Sequence, residues 1–247
     1  MIVLTFFRSL LFNVLFFAST AAASLGGLAL LWGPPSWLLG WLHLWARSVV
    51  LMLRVCCGIE LRVTGRDNLP DGPAIVAAKH QSAFDTFVWL AMLEKPAYVL
   101  KKELLSIPIW GLLARRAGHI PVDRAAGGAA MRPLIRDARK MLAAGRPVVI
   151  FPEGTRSRPG EHLPFHPGVM ALAGLGASLI PVATDSGILW GRRAFIKRPG
   201  VITVAILPAL PPELSRHVRL EKLREAIELE SDRLYRASPY YEAEPLA

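Results

Sequence analysis

The sequence has very few cysteines, and acidic residues are missing from its start. Cys56 and Cys57 are the only cysteines among 247 residues, and no acidic residue precedes Glu60. Neighbouring cysteines are poorly placed to bridge each other, so the disulfide framework of a small secreted domain is excluded. The catalytic part is therefore expected on the reducing side of a membrane.

Several motifs that define common enzyme classes are also missing. The chain has no Walker A loop, no Gly-x-Gly-x-x-Gly, no Gly-x-Ser-x-Gly, and no metal-ligand spacing among its six histidines and two cysteines. These absences argue against triphosphate, dinucleotide, serine-hydrolase and metal chemistry. We therefore predict neither a cofactor nor a metal.

Apolar and basic residues are abundant. The composition is 53% apolar, and 29 basic against 19 acidic residues give a net charge of +10. Such a chain is not disordered, and its charge favours an anionic partner. A nucleic acid is not predicted, because no basic helix carries interleaved aromatic residues. Membrane lipids are the favoured partner.

The apolar surplus lies at the start of the chain. Ser9–Trp32 is uncharged and would form a helix of about 36 Å, long enough to cross a hydrocarbon core. Gly33-Pro34-Pro35 then breaks the helix, and Trp37–Leu53 forms a second apolar segment. Its tryptophans, Trp37, Trp41 and Trp45, are spaced four apart, which suits a helix face that lies at the lipid–water interface. We predict a membrane-anchoring helical hairpin over residues 1–58 and an α/β domain over residues 59–247.

Two alternatives for this start remain open. A signal peptide cleaved after Ala23 fits the outline of Arg8, an apolar run and three alanines, and a buried hairpin of a soluble protein has a similar composition. Basic residues at both ends of the hairpin, Arg8 on one side and Arg47 and Arg54 on the other, favour a cytoplasmic location of both ends. We therefore predict a bacterial-type inner membrane protein whose active site faces the cytoplasm.

From Glu60 onward, short apolar segments alternate with helical patterns, which is typical of an α/β fold with a largely parallel sheet flanked by helices. The sequence predicts helices over Met131–Ala144, from Pro167 to before Gly176, and over Val218–Arg236. The predicted strands are Glu60–Thr64, Ala74–Ala78, Ala97–Leu100, His119–Val122, Pro147–Phe151, Leu179–Ala183 and Val201–Leu207.

Two motifs that follow predicted strands could carry chemistry. His80 and Asp85 lie in Lys79-His80-Gln81-Ser82-Ala83-Phe84-Asp85, where a carboxylate can orient an imidazole that accepts a proton. The ordinary alternative is that Asp85 caps the next helix. Phe151-Pro152-Glu153-Gly154-Thr155-Arg156-Ser157 offers a glycine turn and an arginine that suits phosphate, although a simple surface turn is the alternative.

Two further strand ends carry basic residues. Arg124 follows the strand that contains Ile120-Pro121-Val122, and a solvated Asp123–Arg124 pair is the alternative. Lys101 and Lys102 follow another strand, and a solvated helix start is the alternative there. Since ligands bind at the carboxyl ends of parallel strands, we place Lys101, Arg124, Glu153, Gly154, Thr155 and Arg156 among the candidate substrate-binding residues.

These motifs, together with Ile180-Pro181-Val182, resemble those of the glycerolipid acyltransferase family over roughly residues 60–190. The resemblance implies that His80 is a general base oriented by Asp85, that Arg124 and Arg156 bind phosphate, and that Glu153 helps to order its loop. In chain order, the first motif is Lys79–Asp85, the second ends at Arg124, and the third is Phe151–Ser157. Backbone N–H groups of the first or third motif would hold the oxyanion. Two positions differ from the family pattern: Lys79 stands where asparagine is common, and His166 stands where lysine is common.

The activity implied by the resemblance is acyl transfer from acyl-CoA or acyl carrier protein to a glycerolipid hydroxyl. The favoured reaction is acylation of lysophosphatidic acid at its sn-2 hydroxyl, which gives phosphatidic acid. Another lyso-lipid acceptor, a membrane-anchored thioester hydrolase, and a non-catalytic protein that binds anionic lipid remain as alternatives.

Overall fold

A computed structural model describes residues 2–241, so residue 1 and residues 242–247 of the two predicted domains lie outside the described part. The helices within this range are α1 (Ile2–Ala29), α2 (Pro35–Met52), α3 (Phe84–Met92), α4 (Trp110–Arg116), α5 (Met131–Ala143), α6 (Gly168–Ala173), α7 (Ser186–Leu189) and α8 (Arg216–Arg236). The strands are β1 (Ile59–Thr64), β2 (Ala74–Ala78), β3 (Ala97–Lys101), β4 (Ile120–Val122), β5 (Val148–Ile150), β6 (Ser178–Thr184) and β7 (Gly200–Ile206).

The strands form one sheet in the order β1-β7-β6-β2-β5-β3-β4. Only the β6–β7 pair is antiparallel among these described strands, and all the other pairs are parallel. The prediction of a largely parallel α/β sheet is thus confirmed. Strands β2, β6, β5, β3 and β4 share one direction, so their carboxyl ends meet at one edge of the sheet, where the candidate residues were expected.

Each predicted strand is present, with ends that differ by at most one residue. Central strand β2 is buried at all five positions, which explains why it reads as an unbroken apolar run. The helix predicted over Met131–Ala144 ends at Ala143, and Gly145 follows in the left-handed conformation (φ 73°) that favours glycine after a helix. Pro167 precedes the first residue of α6 instead of occupying it.

The N-terminal hairpin packs on the α/β domain along its length. Phe12 of α1 and Val49 of α2 are completely buried in the same apolar core as Val76 of β2. Gly58 (φ 66°) ends the helical segment, and β1 begins at the next residue. The hairpin and the sheet therefore share one core, although the chain changes from helix to strand at the predicted boundary.

The three tryptophans of α2 do not share one surface. Trp37 is 61% exposed, whereas the Trp45 ring contacts Phe87 with a centroid distance of 6.2 Å. Residues four apart advance by about 40° around a helix, so Trp45 is turned about 80° from Trp37 and points inward. The expectation that all three lie at the lipid–water interface is wrong for Trp45.

Candidate active site

His80 lies two residues after the end of β2 and is buried except for 9% of its surface. Its Nδ1 lies 3.1 Å from Asp85 Oδ2, and its ring stacks on Phe151 at 4.1 Å. Because the carboxylate only accepts hydrogen bonds, we assign the Nδ1 proton to the contact with Asp85. Nε2 is then the nitrogen that can accept a proton from a substrate.

Asp85 also holds the turn that carries the histidine. Its Oδ2 accepts the N–H groups of Gln81 (2.7 Å) and Ser82 (2.8 Å), and its Oδ1 accepts the Ser186 hydroxyl at 2.6 Å. The N–H groups it binds precede α3, so Asp85 does not cap the helix in the usual sense. The carboxylate therefore orients His80 and fixes the loop around it.

Glu153 fixes the same loop from the other side. Its carboxylate accepts the His80 N–H (3.0 Å) and the Lys79 ammonium (2.8 Å), and only 3% of the residue is exposed. The side chain therefore lies behind the wall of the cavity described below. This position fits the expected ordering of the loop, and it corrects the expectation that the Glu153 carboxylate itself contacts the substrate.

Lys79 stands at the centre of a buried ion cluster that sequence reasoning missed. Its Nζ lies 2.8 Å from Glu153 and 2.7 Å from Glu228 of α8, and only 1% of the lysine is exposed. Burial raises the pKa of Glu228, and the Lys79 ammonium opposes this effect. The cluster ties α8 to the loop that carries His80.

Ser157 completes the contact between the first and third motifs. Its N–H donates to the His80 carbonyl at 2.8 Å, and its hydroxyl lies 3.3 Å from the same oxygen. The residue is buried, and these bonds make it a structural contact of the histidine loop.

His80 opens into a cavity of about 1050 Å³ that has a polar end and an apolar end. The polar end contains six of the basic side chains that line the cavity: Lys101, Arg124, Arg156, Arg192, Arg193 and Arg216. Gly154 and Thr155 line the same end. The structure thus brings together every predicted substrate-binding residue except Glu153, and it adds three arginines that sequence reasoning missed.

Arg156 is half-buried and forms no ion pair among residues 2–241. Burial lowers the pKa of its guanidinium from the ordinary value, an effect that Asp85 opposes and Arg192 reinforces. The group stays charged at neutral pH because the ordinary pKa of arginine is so high. Its planar donors are available for an anionic ligand.

Arg124 donates from Nη1 to the Gly154 carbonyl and so joins β4 to the third motif. Gly154 has φ 67°, and a Cβ there would lie 2.7 Å from the His166 ring, so only glycine fits this turn. His166 also lines the cavity, at the position where the family commonly has lysine.

The sequence left open that Arg124 and Lys101 form only solvated surface contacts, and the structure answers differently for the two residues. Asp123 pairs with Lys102 at 3.2 Å, so the solvated Asp123–Arg124 pair is not formed. Lys101 lies 3.3 Å from Glu103 in an exposed pair, as expected for a solvated helix start, although its side chain lines the cavity. Arg124 is therefore free of acidic partners within the described chain.

Backbone N–H groups that could hold an oxyanion are found mainly in the third motif. Those of His80, Gln81, Ser82 and Phe84 already donate to side chains of this region. Within residues 2–241, the N–H groups of Thr155 and Arg156 donate to no protein acceptor. This geometry favours the third motif over the first.

Buried polar residues beyond the predicted set surround the site. Ser186 and Asp185 follow β6, at the same sheet edge, and burial raises the pKa of Asp185 to about 6. His119 lines the cavity, and burial, with a smaller effect of Arg146, lowers the pKa of its imidazole to about 3. His119 is thus uncharged at neutral pH and accepts the Tyr98 N–H at 3.2 Å. The sequence does contain a signal for two of these residues. Asp185 and Ser186 lie just beyond the carboxyl end of β6, where polar residues are candidates for a site.

The apolar end of the cavity runs between the hairpin and the α/β domain. It is lined by Ala23 of α1, by Leu42 and Trp45 of α2, and by Phe87 and Leu90 of α3. The volume and the lining suit a hydrocarbon chain. Within the described residues, no group of three or more His, Cys, Asp or Glu side chains is placed to hold a metal ion.

Comparison with known proteins now defines the class. A family model described as Acyltransferase matches residues 60–185, just over half of the chain, so the chain belongs to this family. The matched segment contains His80, Asp85, Arg124 and the third motif.

Individual relatives carry more specific names. The 1-acyl-sn-glycerol-3-phosphate acyltransferase of Pseudomonas aeruginosa is 36% identical over 170 residues, covering 68% of this chain and 66% of the relative. The 1-acyl-sn-glycerol-3-phosphate acyltransferase alpha of Homo sapiens is 30% identical over 171 residues, covering 68% and 60%. The chain thus spans less than two thirds of the length of these curated relatives.

A solved structure shows the same fold. The crystal structure of the 1-acyl-sn-glycerophosphate (LPA) acyltransferase PlsC from Thermotoga maritima superimposes with a TM-score of 0.76 at 23% identity, covering 94% of this chain and 98% of that one. The likeness includes most of the hairpin, since so little of either chain is left out.

Proposed function

We propose that the protein transfers an acyl group from a thioester donor to the sn-2 hydroxyl of 1-acyl-glycerol-3-phosphate, giving phosphatidic acid. One observation carries the proposal: the His80–Asp85 pair opens into a cavity whose wall includes both a set of arginines and a set of apolar side chains. An acceptor with a phosphate, a hydroxyl and a hydrocarbon chain matches the arginines, the histidine and the apolar side chains. The names of the relatives support the same acceptor.

In the proposed reaction, Nε2 of His80 takes the proton of the acceptor hydroxyl as its oxygen attacks the thioester carbonyl. The C–O bond forms, the C–S bond breaks, and the proton passes from the imidazolium to the leaving thiolate. Asp85 stabilises the imidazolium in between. General-base help of this kind is worth about 10²–10⁴ in rate. No acyl-enzyme is needed, because the thioester is already activated.

The tetrahedral oxyanion needs hydrogen-bond donors that are free before the reaction. The N–H groups of Thr155 and Arg156 meet this requirement, and the Arg156 guanidinium adds positive charge nearby. The arginines of the polar end, Arg156 among them, are proposed to bind phosphate. Their number favours a phosphate-bearing acceptor over a lyso-aminolipid.

We also propose that the hairpin lies in the membrane surface and does not cross the bilayer as two free helices. The segments Ile2–Trp32 and Pro35–Cys57 are long and apolar enough to span. However, α1 touches the domain at several levels, from Ser9, which accepts the Lys197 N–H at 2.9 Å, to Gly27, which faces Leu113. A helix held along its side in this way keeps the active site at the lipid surface.

The outward side of the hairpin supports this arrangement. Large apolar side chains are exposed on α1 and α2, and Leu104, Ile107 and Leu112 of the domain are exposed as well. Ala23, the proposed cleavage site, is 6% exposed within α1, and its carbonyl accepts Trp41 Nε1–H at 2.8 Å. These contacts favour a retained anchor over a cleaved signal peptide. The basic excess supports a cytoplasmic active site at an anionic leaflet.

The deciding experiment is a product assay with the purified full chain in lipid vesicles. Labelled lysophosphatidic acid and other lyso-lipids are offered with acyl-CoA or acyl carrier protein as donor. We expect phosphatidic acid as the main product, and the comparison of donors identifies the thioester used. Free fatty acid alone would show a hydrolase, another diacyl lipid would change the acceptor, and no turnover with any pair would contradict the enzyme proposal.

A further inference from the structure

The carboxylate of Asp85 is held by two distant parts of the chain. Its Oδ2 accepts hydrogen bonds from within the first motif, namely from His80 Nδ1 and from two backbone N–H groups. Its Oδ1 accepts the hydroxyl of Ser186, which lies 101 residues further along the chain. Within residues 2–241, no other side chain or N–H group donates to Oδ1. One oxygen of this carboxylate therefore depends on Ser186 alone.

The contact between Ser186 and Asp85 has the geometry of a strong hydrogen bond. The distance from Oγ to Oδ1 is 2.6 Å, which is typical of a hydroxyl that donates to a charged carboxylate. Ser186 has no exposed surface, and only 3% of Asp85 is exposed, so water does not compete for the bond. A hydrogen bond in such surroundings is electrostatically stronger than the same bond in water.

The segment that carries Ser186 is held in place by contacts on both sides of the serine. Ser186 follows β6 and begins α7. On one side, Asp185 Oδ1 accepts the N–H of Thr203 in β7 at 2.7 Å. On the other side, Gly187 donates its N–H to Gln81 Oε1 at 3.1 Å, and a Cβ at this glycine would lie 2.8 Å from Gln81 Cβ. The sheet and the first motif thus fix the position from which the hydroxyl meets the carboxylate.

We propose that Ser186 is a positioning residue of the reaction, and that its hydroxyl aims the Asp85 carboxylate at His80. The terminal torsion of an aspartate has a broad range, so a donor on each oxygen is what keeps Oδ2 directed at Nδ1. Ser186 touches neither substrate, and it acts on the reaction through Asp85 and His80. The inference rests on the proposed function, because it gives Ser186 a part in that acyl transfer.

Loss of the Ser186 hydroxyl has two expected consequences. The carboxylate becomes freer to turn away from Nδ1, which lowers the rate of proton transfer. A carboxylate with one donor fewer also attracts the proton of the imidazolium more strongly, so His80 becomes a free base only at a higher pH.

Other charged or titratable groups also act on Asp85. They are Arg156 in the third motif, Asp185 at the end of β6 and Tyr98 on β3. All three stay in place in every variant of the test, so a shift along the pH axis reports the loss of the hydroxyl.

The test compares Ser186→Ala, Ser186→Cys and Ser186→Thr in the full chain in lipid vesicles. Alanine removes the donor, cysteine fills the site with a weak donor, and threonine restores a hydroxyl. Ser231→Ala is the control, because Ser231 is buried on α8 and its hydroxyl has no partner among residues 2–241. The kcat and KM values of phosphatidic acid formation are measured for each protein as a function of pH.

A second measurement does not need turnover. Diethyl pyrocarbonate modifies the neutral form of imidazole, and mass spectrometry of the peptide that contains His80 gives the pH at which its modification rate is half-maximal. His217, whose side chain is 82% exposed on α8, is the internal reference in every protein.

We expect Ser186→Ala to lower kcat by about 10- to 100-fold, the range of one hydrogen bond to a charged group, while KM changes by less than about threefold. The half-maximal pH of His80 modification and the acidic limb of the kcat profile should both move to higher pH, whereas the values for His217 should not. Ser186→Cys should fall between alanine and wild type. Ser186→Thr should recover most of the loss, and Ser231→Ala should match wild type.

A merely structural role of Ser186 predicts a different series. Ser186→Cys, which fills the site, would then behave like wild type, and the half-maximal pH of His80 modification would be the same in all variants. This series would overturn the inference, even if phosphatidic acid is made. If Ser186→Ala does not fold, the comparison of Ser186→Cys with Ser186→Thr decides by the same two measurements. If wild type forms no phosphatidic acid, the proposed function fails, and the modification of His80 still decides whether Ser186 acts on the histidine.

Discussion

The loop that carries His80 and the apolar end of the cavity differ in how completely the protein satisfies its own polar groups. Around His80, the Asp85 and Glu153 carboxylates accept five hydrogen bonds from the loop and from Lys79 and a sixth from Ser186. At the apolar end, Trp45 and Tyr98 have no partner within residues 2–241. The loop that carries His80 is therefore fixed by the protein's own contacts, whereas the apolar end leaves two buried polar groups without a partner.

The largest expected effect comes from the loop that carries His80. His80→Ala should lower kcat by about 10²–10⁴, because it removes the general base. The measurement is the rate of phosphatidic acid formation at saturating donor and acceptor. Ser157→Ala is the matched control, since its hydroxyl contacts only the His80 carbonyl at 3.3 Å, and its rate should fall less than about tenfold. An alanine variant at His80 that keeps most of its rate would remove the histidine from the mechanism.

The ion cluster behind the histidine loop should control stability. Lys79→Met leaves Glu153 and Glu228 as buried carboxylates without their cation, which commonly costs about 3–5 kcal/mol of unfolding free energy. Denaturant unfolding of the protein in lipid or detergent measures the loss. Lys79→Met with Glu228→Gln should recover part of it. Lys101→Met is the control, because this lysine lies in an exposed pair with Glu103, and it should cost less than about 1 kcal/mol of unfolding free energy. A similarly small loss in Lys79→Met would contradict the prediction that the ion cluster controls stability.

The unpaired cations of the polar end should act on acceptor recognition. Arg156→Ala removes a contact worth about 1.5–3 kcal/mol, so acceptor kcat/KM should fall by about 10- to 100-fold while donor KM changes less. Arg136→Ala is the control, because its side chain pairs with Asp137 on the surface and is not among the residues that line the cavity. A defect confined to the donor would assign Arg156 to the donor's phosphates.

The smallest effect concerns pH and Asp185, which lies next to the loop that carries His80. Burial raises its pKa to about 6, so the folded protein holds a proton between about pH 4 and pH 6 that the unfolded chain has released. Stability from this group is therefore present below its unfolded pKa and is lost as the pH rises through 6, by about 1–3 kcal/mol. Asp185→Asn should flatten this part of the stability curve. An unchanged difference between pH 4 and pH 7 would contradict the assignment.

Much of the fold could be predicted because short apolar segments end at recognisable loops. Each predicted strand is present, and the carboxyl-end rule brought His80, Arg124, Gly154 and Arg156 to one cavity. The antiparallel direction of β7 relative to β6 could not be predicted, since side-chain periodicity carries no information about strand direction. The inward turn of Trp45 was missed because spacing alone does not show which face of a helix finds a partner.

The ion cluster was missed for a different reason. Lys79 and Glu228 are 149 residues apart in sequence, and the prediction of a helix over Val218–Arg236 does not show which of its charged side chains are buried. The role of Glu153 depends on the same cluster, because its carboxylate turns toward Lys79 and the His80 N–H. Long-range pairs of this kind become visible only when the sheet order is known.

The shared core of the hairpin and the sheet has a consequence for biosynthesis. The hairpin leaves the ribosome before the sheet, so the inner faces of Phe12 and Val49 are covered only when later strands such as β2 and β7 have been made. Until then, the nascent helices carry two uncovered apolar sides, one destined for lipid and one for protein. Contact with a membrane during translation would shield the first side and hold the second in place for the incoming strands. The protein is thus expected to complete its folding at the membrane. A chain made without a membrane should be prone to aggregate.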